Sequence, residues 1–426
     1  MHRRVRLGAM QCRSIPAVLL ALGMVPGAAG YSVLTHEAII DAAWRDSIQP
    51  LLLQRFPAST PDELRKAHAY AYGGAIIQDM GYYPFGSRFF SDLTHYVRSG
   101  EFVLALLAEV TDLNEYAFAL GSLAHYAADN AGHPGATNRA VALMFPKLRS
   151  KFGRTITYGD DPASHLKVEF SFDVGQVAEG HFAPEAYHDF IGFEVAKPLL
   201  QRAFVKTYSL EMSSVFLNED LALGTYRHTV SSLIPSMTKV AWQLRKNEIR
   251  QTEPSATSRR FIYNVSRSSY RKKWGDVYEK PGLSARFWAF ILQLVPKVGP
   301  FRALAFRPPT PAVENLFMRS FNQTLDRYRC FLAMHGESTL LLPNENFDTG
   351  EPIQPGAYRL ADNTYAKLVD KVSSKTISGE LRANILAFYA NLDAPFATKQ
   401  DNARWVNLLG QLDSLKSLRD ADSPKH

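Results

Sequence analysis

Three side chains that bind metals well, His125, Asp129 and His133, recur at four-residue intervals in the stretch LAHYAADNAGHPG. Four residues are close to one turn of an α-helix, so each step rotates the side chain by only about 40° and all three share one face. Neutral imidazole and carboxylate are ligand types that suit zinc. The spacing therefore predicts a metal-binding helix face. The structural alternative is a ladder of hydrogen bonds on a mostly apolar helix.

Further imidazoles and carboxylates recur on both sides of this stretch. His36 lies in YSVLTHEAI, Asp79 ends AYGGAIIQD, and His95 follows in SDLTHY. His165 and Glu169 again pair imidazole with carboxylate one helical turn apart. Read singly, these residues have structural alternatives, namely a helix cap, a helix-end turn and an exposed i,i+4 pair. Their occurrence together favours metal binding.

The first 30 residues have the layout of a secretory signal peptide. A basic segment, MHRRVRLGAMQCRS, precedes the apolar run IPAVLLALGMV and a small-residue end, PGAAG. This order predicts export to the periplasm or the extracellular space, with cleavage before Tyr31. The apolar run is short for a membrane span, which is the alternative. Because α-amino groups have a pKa of about 8, the new terminal amine of Tyr31 would be able to bind a metal together with its carbonyl.

Removing this leader changes the charge of the 426-residue chain. The leader contains four arginines and no acidic residue, so the formal net charge falls from +7 to +3. Part of the basicity is therefore a targeting signal, and it does not indicate a nucleic-acid-binding surface. Hydrophobic residues make up 46% and charged residues 21%, an ordinary balance for a globular protein. Cys330 is the one cysteine after the leader, which excludes an intramolecular disulfide.

Apolar residues spaced three and four apart predict an all-α fold, with Thr35, Thr60 and Asp112 as capping candidates. The predicted helical segments are 33–56, 62–79, 101–110, 112–131, 160–176, 184–217 and 223–250.

A change in composition predicts the domain organisation. Residues 31–250 form the first predicted domain, and the polar, basic stretch 251–284 is a predicted linker. A helical C-terminal region of unknown role, 285–426, follows it, with 344–360 as an irregular connection. The apolar segment 285–306 is a predicted core helix, and docking on a membrane is its alternative.

The order of the candidate ligands resembles the zinc-dependent phospholipase C family. That family includes bacterial phosphatidylcholine-hydrolysing enzymes and clostridial alpha-toxins, and the fungal single-strand-specific nucleases share its fold. The resemblance covers residues 31–250 and implies that they are the catalytic domain, a multi-helix bundle that binds up to three zinc ions. It further implies that Asp79 accepts a proton from the attacking water. The implied ligands are Asp79, His95, His125 and Asp129 for the first zinc, His133, His165 and Glu169 for the second, and Tyr31 and His36 for the third, to which Asp129 forms a bridge.

The chain departs from the family pattern at three positions. Tyr31 stands where the family usually has Trp, and Met80 follows Asp79 where phospholipases often carry Tyr. His133 follows Asp129 by four residues, where the family more often has six. Because Gly132 and Pro134 flank His133, we expect the helix to end there and the imidazole to turn toward the metals.

The resemblance implies a secreted zinc-dependent phospholipase C that releases diacylglycerol and a phosphorylated head group from phospholipids, with the membrane surface as its partner. The alternative is a single-strand nuclease or 3′-nucleotidase that uses the same zinc ions on nucleic acid. Glu169, where the nucleases carry Asp, and the lack of disulfides favour the phospholipase. A nuclease would stack bases on aromatic rings, and Tyr82, Tyr83, Phe89 and Phe90 could serve in this way or line an acyl or head-group pocket. A metal-bound protein without activity is the third alternative, and no protein partner is indicated.

Overall fold

The computed structural model describes residues 32–178, 192–234 and 308–417, and they fold into helices joined by short connections. Within these ranges the one sheet is a pair of two-residue antiparallel strands, Glu345–Asn346 and Glu351–Pro352. The predicted all-α fold is therefore confirmed. The α-helices are Val33–Ala43, Gln49–Arg55, Pro61–Gly74, Arg88–Tyr96, Ser99–Ala108, Leu113–Gly132, Asn138–Met144, Pro146–Phe152, Pro162–Ala178, Lys197–Tyr208, Glu219–His228, Pro311–Gly336, Arg359–Val372, Gly379–Phe388 and Asn402–Ser417.

The helix Leu113–Gly132, called the central helix below, is buried along nearly its whole length. It begins at the predicted cap, where the Asp112 side chain accepts a hydrogen bond from the Glu115 amide at 2.8 Å. After Gly132 the backbone continues into a π-helical turn, His133–Thr137. Gly132 itself keeps right-handed helical angles, φ −69° and ψ −50°. The α-helix therefore ends at Gly132 as expected, but the backbone does not turn away there, and His133 stays on the path of the helix.

The helix Pro61–Gly74 packs against the central helix through glycines. A Cβ atom at Gly74 would lie 1.9 Å from the Phe118 carbonyl oxygen, and one at Gly121 would lie 2.1 Å from the Ala71 carbonyl oxygen. Only residues without a side chain allow two helix backbones to come this close. The Thr60 side chain caps this helix as predicted.

The first predicted helix, 33–56, has a π-helical turn in its middle, at Trp44–Ile48. The cap prediction for Thr35 is wrong, because the helix begins at Val33 and Thr35 lies inside its first turn. The Thr35 hydroxyl instead donates to Asp173 at 2.8 Å, and the Leu34 and Thr35 amides donate to the same carboxylate. A side chain remote in sequence thus satisfies the first-turn donors, which no local pattern predicts.

Two other helix predictions need correction. The helix Arg88–Tyr96 was not predicted, although it carries His95. In the described part of the predicted helix 184–217, the α-helix runs only over Lys197–Tyr208. It ends where Ser209 adopts a left-handed conformation with φ 51°, which takes the backbone off the helical path.

The C-terminal helix Pro311–Gly336 lies along the central helix. The Tyr328 hydroxyl donates to the Leu120 carbonyl at 2.9 Å, and the Phe317 and Phe172 ring centroids are 4.5 Å apart. One continuous hydrophobic core extends from residues of the first helix to residues of the last. The described residues after 308 therefore help to hold the helices that carry the candidate ligands.

No helix in the described ranges is long and apolar enough to cross a bilayer. Several predictions fall outside these ranges and stay predictions. They concern the signal peptide 1–30, the terminal ligand Tyr31, the linker 251–284 and the apolar segment 285–306.

Candidate metal centre

Four separate parts of the chain bring the candidate ligands together around the central helix. His125 and Asp129 lie in the C-terminal half of that helix, and His36 lies on the first helix. Asp79 lies in a 3-10 turn, Ile77–Tyr82, and His95 near the end of Arg88–Tyr96. These five side chains are buried, with at most 1% of each residue exposed.

Asp129 occupies the middle of this cluster. Its Oδ2 atom lies 3.2 Å from His125 Nε2 and 3.5 Å from His95 Nε2. Its other oxygen, Oδ1, lies 3.5 Å from His36 Nε2. Asp79 Oδ1 lies 3.3 Å from His95 Nε2. The two oxygens of Asp129 therefore face two different sets of ligands, which is the arrangement of a carboxylate that bridges two metal ions.

A second group lies at the end of the central helix. Donor atoms of His133, His165 and Glu169 all lie within 4.8 Å of one another. His165 Nδ1 is 3.3 Å from Glu169 Oε1, and the His133 and His165 rings stack with their centroids 5.5 Å apart. His133 Nε2 lies 3.9 Å from Asp129 Oδ2. All three residues are buried, so the alternative of an exposed His165–Glu169 pair is wrong.

Backbone carbonyls orient three of the imidazoles. Ser91 O lies 2.7 Å from His95 Nδ1, Ala75 O lies 2.9 Å from His125 Nδ1, and Ile156 O lies 2.7 Å from His165 Nε2. Because a carbonyl only accepts, the nitrogen that faces it carries a proton, and this proton is the one that each ring keeps when it binds a metal. The other nitrogen of each ring is left with its lone pair toward the carboxylates, as a metal ligand requires.

Comparison with protein-family models matches residues 35–218 to the family described as zinc dependent phospholipase C. The chain carries a domain of this family. Comparisons with curated proteins and with solved structures found no significant match. The family domain contains every predicted ligand from His36 to Glu169, whereas residues 219–426 lie outside it. The structure thus places all of the predicted ligands that it describes in two adjoining groups, and only Tyr31 lies outside the described residues.

The atoms at the centre of the phospholipase C domain fit a bound cation. Both oxygens of Asp79, both oxygens of Asp129, and Nε2 of His95 and His125 make no hydrogen bond to any residue in the described ranges. Buried ionised carboxylates without hydrogen bonds cost several kcal/mol unless a cation compensates them. Imidazole nitrogens and carboxylate oxygens in one cluster are a donor set that zinc prefers. The chemistry of the residues therefore agrees with the zinc binding of the family.

Burial and charge set the protonation of the histidines. At His133, burial lowers the pKa to about 3. The negative charge of Asp129 acts in the opposite direction, and the neighbouring His165 lowers the pKa further. Burial also lowers the pKa of His165 to about 4. Both rings are thus neutral at physiological pH, which ligands must be. At His95, burial disfavours the protonated ring and by itself lowers the pKa. The carboxylates of Asp129 and Asp79 outweigh this effect and raise the pKa of His95 to about 10. The carboxylates therefore favour a positive charge at this position.

Sequence reasoning missed Asp348, which lies in the segment interpreted as an irregular connection. It is fully buried, and its Oδ1 atom lies 3.3 Å from His133 Nδ1. Tyr96 donates to Asp348 Oδ2 at 3.0 Å, and the Tyr358 hydroxyl donates to the same atom. The stretch NFDTGE reads as a turn, and no periodicity or motif marks Asp348 as part of a site. Only the packing of this segment on the central helix reveals it.

Proposed function

We propose that this protein is a zinc-dependent phospholipase C, which cleaves phospholipids to diacylglycerol and a phosphorylated head group. The observation that carries the proposal is the buried Asp129 carboxylate, with His36 at one oxygen and His95 and His125 at the other. This geometry supports two adjacent metal positions that share one carboxylate. Two adjacent metals are the arrangement that stabilises both the attacking and the leaving oxygens in phosphodiester cleavage.

The ligand groups assign roles to the side chains. Asp79, His95 and His125, together with Asp129 through its Oδ2 atom, would hold one zinc ion, and His133, His165 and Glu169 a second. Bound zinc would supply Lewis-acid polarisation of the phosphoryl oxygens and lower the pKa of a water at the cluster. Neither oxygen of Asp79 makes a hydrogen bond to a described residue, and it is Oδ1 that lies beside the His95 ring. Asp79 Oδ2 is therefore the atom that we assign to accept the proton of the attacking water.

The four aromatic side chains that a nuclease would use for stacking are buried. Tyr82, Tyr83, Phe89 and Phe90 are all at most 5% exposed. Phe90 packs in the core, with ring centroids 5.5 Å from Phe204 and 5.3 Å from Phe216. Rings enclosed in this way offer no face on which a base would stack, and stacking is one of the two main sequence-independent contacts to single strands. This counts against the nuclease alternative.

We also propose that the chain is exported and cleaved before Tyr31. The first helix begins at Val33, and the His36 amide donates to the Ser32 carbonyl at 3.3 Å. Ser32, which follows Tyr31 in the chain, thus lies one helical turn before His36. This supports Tyr31 and His36 as joint ligands of a third zinc ion, and it gives cleavage a role in completing the site.

The test is a substrate panel on the protein cleaved before Tyr31. Zinc per chain is measured by elemental analysis, and release of phosphorylated head group from mixed phospholipid vesicles is compared with cleavage of single-stranded DNA. We expect two or three zinc ions and head-group release. Asp79→Asn should lower that release by at least about 100-fold, the usual effect of losing a general base. Asp370→Asn, the same change at an exposed carboxylate, should have no effect.

Three results would contradict the proposal. Fewer than two zinc ions per chain would remove the two-metal arrangement. Activity that survives both Asp79→Asn and His125→Ala would show that the reaction takes place elsewhere. Cleavage of single-stranded DNA without head-group release would assign the same centre to a nuclease.

A further inference from the structure

His133 differs from the other imidazoles of the centre in how its second nitrogen is held. In His95, His125 and His165, one ring nitrogen faces a backbone carbonyl at 2.7–2.9 Å. Neither ring nitrogen of His133 has such a carbonyl among the described residues. The group beside its Nδ1 atom is the Asp348 carboxylate, at 3.3 Å.

Asp348 is itself held firmly. Its Oδ2 atom accepts the Tyr96 and Tyr358 hydroxyls, and its backbone carbonyl accepts the Asn138 side-chain amide at 2.7 Å. The backbone amide of Asp348 donates to Asn346 Oδ1 at 3.0 Å. These bonds occupy one carboxylate oxygen and leave the other, Oδ1, directed to His133.

The hairpin that carries Asp348 is packed tightly onto the end of the central helix. Gly350 has a left-handed φ of 68°, and a Cβ atom there would lie 2.5 Å from the Asn130 carbonyl oxygen. Asn130 is three residues before His133 on the same helix. The contact between hairpin and helix therefore fixes the distance between Asp348 and the His133 ring.

We propose that Asp348 is a positioning residue that orients His133 for zinc: its Oδ1 accepts the Nδ1 proton, and Nε2 faces the metal. A carboxylate in this position fixes the tautomer and increases the basicity of the ligand. The Asp348 carboxylate also takes the place of the backbone carbonyl that orients the other imidazoles. His133, only four residues after Asp129, has no such carbonyl among the described residues. Since Asp348 lies outside residues 35–218, a C-terminal segment would complete the metal centre of the family domain. The proposal rests on the zinc centre, and it does not depend on which phosphodiester is cleaved.

The first experiment measures zinc affinity by competition with a chelator in Asp348→Asn, an isosteric change. We expect the weakest zinc ion to bind about 10- to 100-fold less tightly, the usual effect of losing such a partner, with the same number of zinc ions at saturation. Tyr358→Phe is the matched control, because it removes a bond to Asp348 and leaves the Asp348–His133 contact in place. It should lower the melting temperature of the metal-free protein without a comparable loss of zinc affinity.

The double variant separates positioning from a general structural role. In a His133→Ala background, Asp348→Asn should cause no further loss of zinc affinity, since the two residues act through one contact. An additive loss, or equal losses in Asp348→Asn and Tyr358→Phe, would overturn the proposal. So would unchanged zinc affinity in Asp348→Asn.

A measurement on the unaltered protein covers the case in which Asp348→Asn fails to fold. Nitrogen-15 NMR of histidine-labelled, zinc-loaded protein reports which ring nitrogen carries the proton, with His133→Ala for assignment. We expect a protonated Nδ1 and a metal-bound Nε2 at His133, and the reverse would overturn the proposal. If the protein binds zinc normally but has no phospholipase activity, the proposed function is contradicted and the proposed role of Asp348 is not.

Discussion

Gly121 lies where the central helix packs against the segment around Ala71 and Ala75, and the Ala75 carbonyl also orients the ligand His125. A Cβ atom at Gly121 would lie 2.1 Å from the Ala71 carbonyl oxygen and 2.9 Å from the Ala75 amide nitrogen. Both neighbours are backbone atoms, so no flexible side chain can move aside. Ordinary contact begins at 3.4 Å. Gly121→Ala must therefore separate the two helices by at least the difference between 3.4 and 2.1 Å, about 1.3 Å.

The energetic cost follows from this displacement. Overpacking of a core costs about 1–3 kcal/mol, and a clash between two backbones belongs at the upper end. The better helix propensity of alanine recovers about 1 kcal/mol. We expect a net loss of about 2 kcal/mol in the free energy of unfolding. Because the Ala75 carbonyl accepts from His125 Nδ1 at 2.9 Å, the same displacement should break this bond and lower zinc affinity about 10-fold or more.

Urea unfolding of the metal-free protein measures the first effect, and chelator competition measures the second. Gly410→Ala is the control, because Gly410 is exposed within the helix Asn402–Ser417 and has no atom within 4 Å of its Cβ position. It should stabilise the protein by about 0.5–1 kcal/mol without changing zinc affinity. A Gly121→Ala variant as stable as the unaltered protein would refute the packing argument. A destabilised variant with unchanged zinc affinity would refute the link to His125.

Two further predictions concern the frame of the fold. Thr60→Ala removes the side-chain cap of Pro61–Gly74 and should lower the free energy of unfolding by about 1 kcal/mol in urea titrations, with zinc content unchanged; a loss of zinc would show that the cap reaches the site. A chain that ends after residue 234 lacks Pro311–Gly336 and should give no cooperative thermal transition by circular dichroism, because the core around Phe172 and Leu120 loses its cover. A cooperative transition with full zinc content would instead make the N-terminal residues an independent domain.

Much of the centre follows from local sequence. The four-residue intervals placed His125, Asp129 and His133 on one face, and the structure has them there because the helix continues through Gly132 into a π-helical turn. The caps at Thr60 and Asp112 were predictable for the same reason, since a cap involves residues only three positions apart. The Thr35 cap was not, because Asp173 occupies the donors of that turn.

By itself, the sequence determined the types of ligand, their order and the helical face that joins three of them, since helix geometry repeats every 3.6 residues. Tertiary structure alone decided which oxygen of Asp129 faces His36 and which faces His95 and His125. It alone decided that Asp348 stands behind His133. These contacts join segments far apart in the chain, and they depend on how closely backbones pack at glycines such as Gly121 and Gly350. Periodicity carries no information about that packing, because it describes one element at a time and not the distance between two.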